Sequence, residues 1–360
     1  MKRIGIVTLY GNVNYGNRLQ NYAVQHIFEK MGYKVDTLVG VTNPLKKAVK
    51  DLIWISKIIL KDGVSKRSLN ISKFNRRYIH KRLILVHNGT FSPKIAKEYD
   101  FFAVGSDQVW NPEIRKRERG VFFLDFANDK QKICISPSLS VKEIDEQYKE
   151  KYKEELSKFP ILTCRELDGA KLIEKLTGKK CINTIDPTLM LRDKEWKSLS
   201  KRININGKFI VLFFLGDIPS SITSIVNLYA NKNRLLIINP LDINNKYSCL
   251  DPFEFVWLID NAELVLTDSF HATAFSINLK TSFYVFDRSS NNAITTHINS
   301  RIAALVNTFD LKDRYITDLD QFEIKEKCDF LNVDKHLLEE RNKFLNVLRE
   351  SLGDNYVETF

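Results

Sequence analysis

The sequence predicts an α/β protein built from two parallel-sheet domains, and three observations predict it. Short apolar runs without polar interruption recur along the chain, as a strand buried on both faces requires. Between them lie stretches whose apolar residues return at helical spacing. A single polar stretch, residues 192–208, interrupts this alternation, after which it resumes.

In chain order, the strands expected in the first half are Ile4–Leu9, Val35–Val39, Phe101–Val104, Ile133–Ser136, Ile161–Cys164 and Cys181–Ile185, with helices beginning near Asn17, Val141 and Glu166. The second half is expected to run Phe209–Leu215, helix Ser220–Ala230, Leu235–Ile238, helix Pro252–Asp260, Leu264–Thr267, helix Ser269–Leu279, Phe283–Phe286 and helix Thr296–Phe309. A last amphipathic helix is expected over Asp334–Leu352. The predicted domains are therefore 1–192 and 193–333, both Rossmann-like, with 334–360 as a C-terminal helix packing back on the first. Two such sheets are expected to face a cleft, and ligands of these folds sit beyond the carboxyl ends of strands.

Composition narrows the function. With 44% hydrophobic and 28% charged residues, 14 Gly and 9 Pro, the chain suits a folded protein with a large core. The longest apolar runs, such as Phe209–Leu215, fall far short of the roughly 20 residues a membrane span needs. The amino terminus reads as a strand rather than a secretory signal, so a cytoplasmic location is expected. Five widely spaced cysteines, Cys134, Cys164, Cys181, Cys249 and Cys328, support neither a disulfide framework nor a metal site. Three of them fall in predicted buried strands.

Charge is local. Between residues 44 and 84 twelve Lys or Arg face two Asp, so nearly all of the net +11 lies there. Within it, residues 45–61 place Leu45, Val49, Leu52, Ile53, Ile55, Ile59 and Leu60 on one side of a helix and Lys46, Lys47, Lys50, Lys57 and Lys61 mostly on the other. Such a helix is either a docked surface helix with a solvated basic face or a contact to an anionic membrane or acceptor. No aromatic–basic interleaving supports nucleic acid binding.

Candidate site residues follow the strands. After the first comes Tyr10-Gly-Asn-Val-Asn-Tyr-Gly-Asn-Arg-Leu-Gln20, whose Asn14, Asn17, Arg18 and Gln20 at a helix start suit an anion or a sugar. After Phe101–Val104 come Gly105, Ser106, Asp107, Gln108 and Trp110, offering acceptors, donors and an apolar ring to a hydroxyl-rich ligand. Arg165 ends another strand, where its planar fork suits carboxylate or phosphate, or a salt bridge to Glu166 or Asp168. The sharpest feature is Thr267-Asp268-Ser269-Phe270-His271-Ala272, in which Ser269 caps the helix and His271 lies in its first turn. Arg301 starts a later helix pattern. Asp318 and Asp320 have the spacing of a metal–nucleotide motif but lie in a polar connection, and no metal site is expected.

At these residues the sequence resembles the polysaccharide pyruvyl transferase family. The resemblance rests on Gly-Asn-Val-Asn-Tyr-Gly-Asn-Arg-Leu-Gln-Asn-Tyr-Ala, Val-Gly-Ser-Asp-Gln-Val-Trp-Asn, Cys-Arg-Glu, Asp-Pro-Thr-Leu from Asp186, Thr-Asp-Ser-Phe-His-Ala-Thr-Ala-Phe-Ser-Ile and Asn-Ser-Arg-Ile, in order from about residue 4 to 302. Ala272 departs from the glycine usual after the histidine, which bears on donor choice. The resemblance implies a fold similar to B-type glycosyltransferases and transfer of a pyruvyl group from phosphoenolpyruvate to two hydroxyls of a sugar of a surface polysaccharide, as a ketal, without a further cofactor. It further implies His271 as acid or phosphate holder with Asp268 beside it, Ser269, Arg165 and Arg301 as anion holders, and Asp107 as base or hydroxyl-orienting group. Asn14, Asn17, Arg18, Gln20, Ser106, Gln108 and Trp110 would line the acceptor side. The acceptor is nucleotide-linked, lipid-linked or polymer; a lipid-linked one would suit the basic helix and a peripheral position at the inner face of the membrane. Two alternatives stand beside this reading: a B-type glycosyltransferase holding a nucleotide sugar with Glu254, Asp268 and Ser269, and a non-catalytic component of a capsule-assembly complex.

Overall fold

The computed structural model describes residues 1–43, 63–113, 119–288, 295–325 and 327–358. The basic helix expected over 45–61 lies outside the described residues. Those described divide into two compact units, one taking in 1–43, 72–190 and 340–358, the other 63–71 and 191–339. Both are α/β with a parallel sheet.

In the first unit β1 (Arg3–Val7), α1 (Tyr15–Lys30), β2 (Lys34–Val41), α2 (Gly63–Tyr78, whose last residues belong here), β3 (Lys81–His87), β4 (Thr90–Phe91), β5 (Phe101–Val104), α3 (Arg119–Phe122) and β6 (Lys132–Cys134) follow in order. The six strands are arranged β4-β3-β2-β1-β5-β6, parallel except for the β3–β4 hairpin. After α4 (Glu146–Ser157), strands β7 (Leu162–Cys164) and β8 (Cys181–Asn183), joined by α5 (Leu167–Thr177), pair only with each other. Beside the two expected parallel sheets, β7 and β8 form a small parallel sheet of their own among the described residues. Burial explains the central strands: Ile4, Ile6, Val7, Phe102, Ala103 and Val104 are each at most 1% exposed.

The second unit carries α6 (Asp193–Leu199), β9 (Phe209–Phe213), α7 (Ser220–Asn233), β10 (Leu236–Ile238), α8 (Pro252–Asp260), β11 (Leu264–Thr267), α9 (Phe270–Leu279), β12 (Phe283–Phe286), α10 (Thr295–Thr308), β13 (Tyr315–Ile316) and the start of α11 (Val333–Leu352). Its five strands lie in the order β10-β9-β11-β12-β13, all parallel. Ile210, Leu212, Leu264, Leu266, Tyr284 and Phe286 pack with Ile222 and Val226 of α7.

In each unit the chain reverses direction across the sheet. β1 has β2 on one side and β5 on the other, and β9 has β10 and β11 likewise. At such a switch point neighbouring post-strand loops leave in opposite directions and open a crevice at the carboxyl edge. The loops after β1 and β5, and those after β9 and β11, are the ones that carry the polar residues.

Candidate functional site

In the first unit the two loops lock together around Asp107. Register pairs Val7 with Val104 at the ends of β1 and β5. Gly105 then takes φ +110°, where a Cβ would stand 2.2 Å from the Ile135 carbonyl oxygen, so only glycine fits the turn. The backbone beyond it is equally constrained: Asp107, Ser136 and Ser140 all adopt positive φ, at 69°, 45° and 52°. Non-glycine residues held in this region cluster where function sets the geometry.

Asn14 caps α1, its Oδ1 accepting from Asn17 N at 3.1 Å. Arg18 is wholly buried and donates to Asn17 Oδ1 from Nε (3.0 Å) and Nη2 (2.5 Å), to Asn21 Oδ1 (3.1 Å), and to the Leu9 carbonyl. Burial lowers its pKa to about 10, against the pull of Tyr10 and Asp107. With Asn17 Oδ1 taken by Arg18, the amide nitrogen is left facing Asp107, and Nδ2 donates to Asp107 Oδ2 at 2.8 Å. Gln20 bridges the loops, donating to Thr8 Oγ1 (2.9 Å) and accepting from Ser106 N (3.0 Å).

Arg165 is also buried, and its Nη1 donates to Asp186 Oδ2 at 2.7 Å while Nη2 lies 3.8 Å from Asp107 Oδ1. Burial works against its charge, but Asp186, Asp107 and Glu166 together outweigh it and raise its pKa. Asp186 further accepts from Ser106 Oγ, Thr188 N and Thr188 Oγ1 at 2.7–3.0 Å. Glu166 Oε1 holds the next loop through Ser138 Oγ, Leu139 N and Ser140 N at 2.8–2.9 Å, and Ser140 Oγ accepts from Gln108 Nε2 at 3.0 Å.

In the second unit the carboxyl edge centres on Asp268, 1% exposed. Its Oδ1 accepts from Leu215 N (2.6 Å) and its Oδ2 from Gly216 N (2.8 Å), tying the loop after β9 to the end of β11. Arg288, two residues beyond β12, donates from Nε to Asp268 Oδ2 and from Nη2 to the Asp268 carbonyl, both at 3.2 Å. Arg288 N in turn donates to Asn299 Oδ1 on α10 at 3.0 Å. Ser269 caps α9, its Oγ accepting from Ala272 N at 3.5 Å, and His271 sits in the first turn, 8% exposed, edge-on to Phe270. Ala272 is completely buried, so its methyl group belongs to the packing of α9. Arg301 follows Asn299 on α10 and is 6% exposed.

Residues 14–290 fit the model of the polysaccharide pyruvyl transferases. The chain belongs to the polysaccharide pyruvyl transferase family. It is thereby a transferase acting on polysaccharide. No curated protein matches this family member. Among solved structures it is similar to MnaA of S. aureus, solved with UDP (13% identity, 96% of this chain and 98% of that one, TM-score 0.42). It is also similar to MurG of Acinetobacter baumannii (9% identity, 98% and 94%, TM-score 0.40) and to UDP-GlcNAc 2-epimerase of Neisseria meningitidis bound to UDP-GlcNAc (10% identity, 95% and 100%, TM-score 0.37).

Within the family member, several expected site residues have structural duties. Trp110 is 1% exposed, packs against Phe123 and Phe159 and donates from Nε1 to the Phe122 carbonyl at 3.0 Å; it is a core residue, not a sugar platform. Arg18, Gln20 and Ser106 are buried and spent on neighbours, so they position Asn17 and Asp107 rather than touch a ligand. Arg165 pairs with Asp186, which corrects the expected bridge to Glu166 or Asp168. Asp268, expected as a catalytic residue, accepts on both oxygens from Leu215 N, Gly216 N and Arg288 Nε. Glu254 forms a capping box with Asp251 at the start of α8, accepting from Asp251 N at 2.7 Å, and that cap explains it without a nucleotide. Asp318 Oδ1 accepts from Asp320 N at 3.0 Å, a local turn. Among the described residues no group of three His, Cys, Asp or Glu is placed to hold a metal ion, and no helix is long and apolar enough to cross a membrane. Sequence reasoning missed Arg288, although it obeys the rule that found the others: it follows an apolar run, Phe283–Phe286, at a strand's carboxyl end.

Proposed function

We propose that this family member moves the enolpyruvyl group of phosphoenolpyruvate onto two hydroxyls of one sugar, forming a ketal and releasing inorganic phosphate. The observation that carries this reading is the carboxyl edge of the second unit, where a histidine in the first turn of a serine-capped helix follows Asp268, to which Arg288 is bonded. A helix start and an arginine suit the carboxylate and phosphate of the donor, and an imidazole beside them suits proton transfer.

The donor chemistry falls to the second of the two units. In the second, His271 delivers a proton to the methylene carbon of the enol phosphate, which leaves a cationic carbon bearing carboxylate and phosphate. A sugar hydroxyl adds to that carbon and gives up its proton; the carbon–oxygen bond to phosphate then breaks, and a second hydroxyl closes the ketal. Of the two hydroxyl protons, one replaces that given by His271 and the other leaves with phosphate. In the first unit Asp107, held by Asn17 Nδ2 and flanked by Arg165, suits a hydroxyl-orienting acceptor for a neutral polyol. A sugar in surface polysaccharide assembly, nucleotide-linked, lipid-linked or polymeric, is the acceptor class that fits. No additional cofactor enters these steps.

The test is a thermal-shift titration with phosphoenolpyruvate and, separately, with nucleotide sugars, followed by an assay of phosphate release with candidate sugars. A ligand at a hundredfold excess over its dissociation constant adds about 2.7 kcal/mol, well within detection. Phosphoenolpyruvate is expected to raise the Tm, and His271→Ala to lower turnover at least about a hundredfold. A shift with nucleotide sugars alone overturns the reading in favour of glycosyl transfer.

A further inference from the structure

We propose that Arg288 is an anion-binding residue of the donor site, held in place by Asp268 and presenting its remaining N–H groups to the phosphate or carboxylate of the ligand. This rests on the reading of the second unit's edge as the donor side.

The geometry is a fork with one edge occupied. Nε and Nη2 both reach Asp268, one to its carboxylate and one to its carbonyl, each at 3.2 Å. Among the described residues nothing accepts from Nη1. The Asp268 carboxylate already has an amide donor on each oxygen, from Leu215 and Gly216. Its hydrogen bonding would be met without an arginine; what Arg288 adds is the counter-charge that a carboxylate 1% exposed requires. In return the carboxylate fixes the plane of the guanidinium, so that little rotamer freedom remains to be lost when a ligand binds.

Reach separates Arg288 from its neighbours. Its side chain is 17% exposed, whereas Arg301 is among the buried residues at 6%. The nearest acid in sequence, Asp287, is engaged elsewhere by the Tyr315 hydroxyl. Through its own amide Arg288 also holds Asn299, so one residue joins the ends of β11 and β12 to the helix that carries Arg301. A planar cation fixed by a buried carboxylate at the carboxyl edge of a parallel sheet matches the shape of a phosphate or carboxylate, which takes two N–H groups side by side.

The experiment measures binding of inorganic phosphate and of phosphoenolpyruvate to the full chain by calorimetry, for the wild type, Arg288→Gln and Arg288→Lys, with circular dichroism to confirm folding. Arg288→Gln is expected to weaken both ligands about ten- to a hundredfold. Arg288→Lys, which keeps the charge and loses the fork, is expected to fold and to weaken them by an intermediate factor. In turnover the KM for the donor should rise while that for the acceptor sugar stays within about twofold, a split that a merely structural residue does not produce. Wild-type affinities in both variants overturn the assignment and leave the proposed reaction standing. Failure of the wild type to bind either anion overturns both.

Discussion

Arg18, Arg165 and Arg288 are chemically alike and differ in what their surroundings leave them to do. Arg18 is enclosed by Leu9, Asn17 and Asn21, Arg165 is matched by Asp186, and Arg288 has one edge against Asp268 and a partly exposed side chain. None of this is readable from the words Asn-Arg-Leu, Cys-Arg-Glu or Asp-Arg-Ser, because burial and partner are properties of the folded neighbourhood. Glycine is the opposite case, since its conformational need is local. At Gly105 both φ +110° and the 2.2 Å approach of the Ile135 oxygen forbid a side chain. Gly105→Ala is therefore expected to destabilise the protein by at least about 2 kcal/mol, read as a lower urea midpoint at unchanged m. A midpoint equal to that of the wild type would mean that the turn after β5 tolerates another conformation.

Among the elements, strands buried on both faces were legible as apolar runs: Phe101–Val104, Leu264–Thr267 and Phe283–Phe286 stand where the sequence placed them. Those lying against solvent were not. β3 reads Lys-Arg-Leu-Ile-Leu-Val-His, with every second side chain exposed and the rest half-buried, and it was lost in the basic segment. α6 lies inside the polar stretch 192–208, where no helix is expected, and Glu195 accepts from Arg192 N at 2.9 Å to cap it. The helix expected at Val141 starts at Glu146, because Leu139 and Ser140 are tied down by Glu166. Helix α8 permits a pH test. Burial, ahead of Asp251, raises the Glu254 carboxyl, against the Asp251 amide and Lys201. A carboxyl raised on folding favours the folded state while protonated and loses that advantage as pH rises through its folded value. Glu254→Gln keeps an acceptor for the capping box, so its Tm relative to the wild type should climb between pH 4 and pH 7. A constant difference across that range would show that burial of this charge costs nothing.

For the molecule as a whole, the long-range ties are what composition could not reveal. Residues 340–358 belong with the first unit, where Tyr33 donates to the Asn355 carbonyl at 2.6 Å and Arg341 to the Leu189 carbonyl at 2.7 Å. Residues 63–71 belong with the second, where Asn70 donates to the Cys249 carbonyl. The folded state also sorts the five thiols. Cys134, Cys164, Cys181 and Cys328 are buried, and burial pushes the thiols of Cys134 and Cys328 up to about 12. Cys249 is only half-buried. A thiol reagent at pH 8 should therefore modify one cysteine quickly in the native protein and the remaining four only after denaturant is added. Rapid modification of Cys134, Cys164 or Cys181 would contradict the packing of β6, β7 and β8.

Apolar runs, helical periodicity, the glycine at the turn after β5 and the Ser269 cap depend on neighbours within a few residues, and the chain alone determined them. The parallel α/β class and the strand ends that bear polar residues followed from those local signals. Which post-strand loops meet, and therefore which polar residues act together, depends on strand order. Only the placement of β5 beside β1 and of β11 beside β9 brings Asn17 to Asp107 and the Leu215 amide to Asp268. These pairs lie 90 and 53 residues apart, a distance over which no local preference of the backbone reaches. The same ordering decided that Trp110 fills a core and that Arg288 stands at the edge of the sheet, since burial is settled by what the other strands and helices cover.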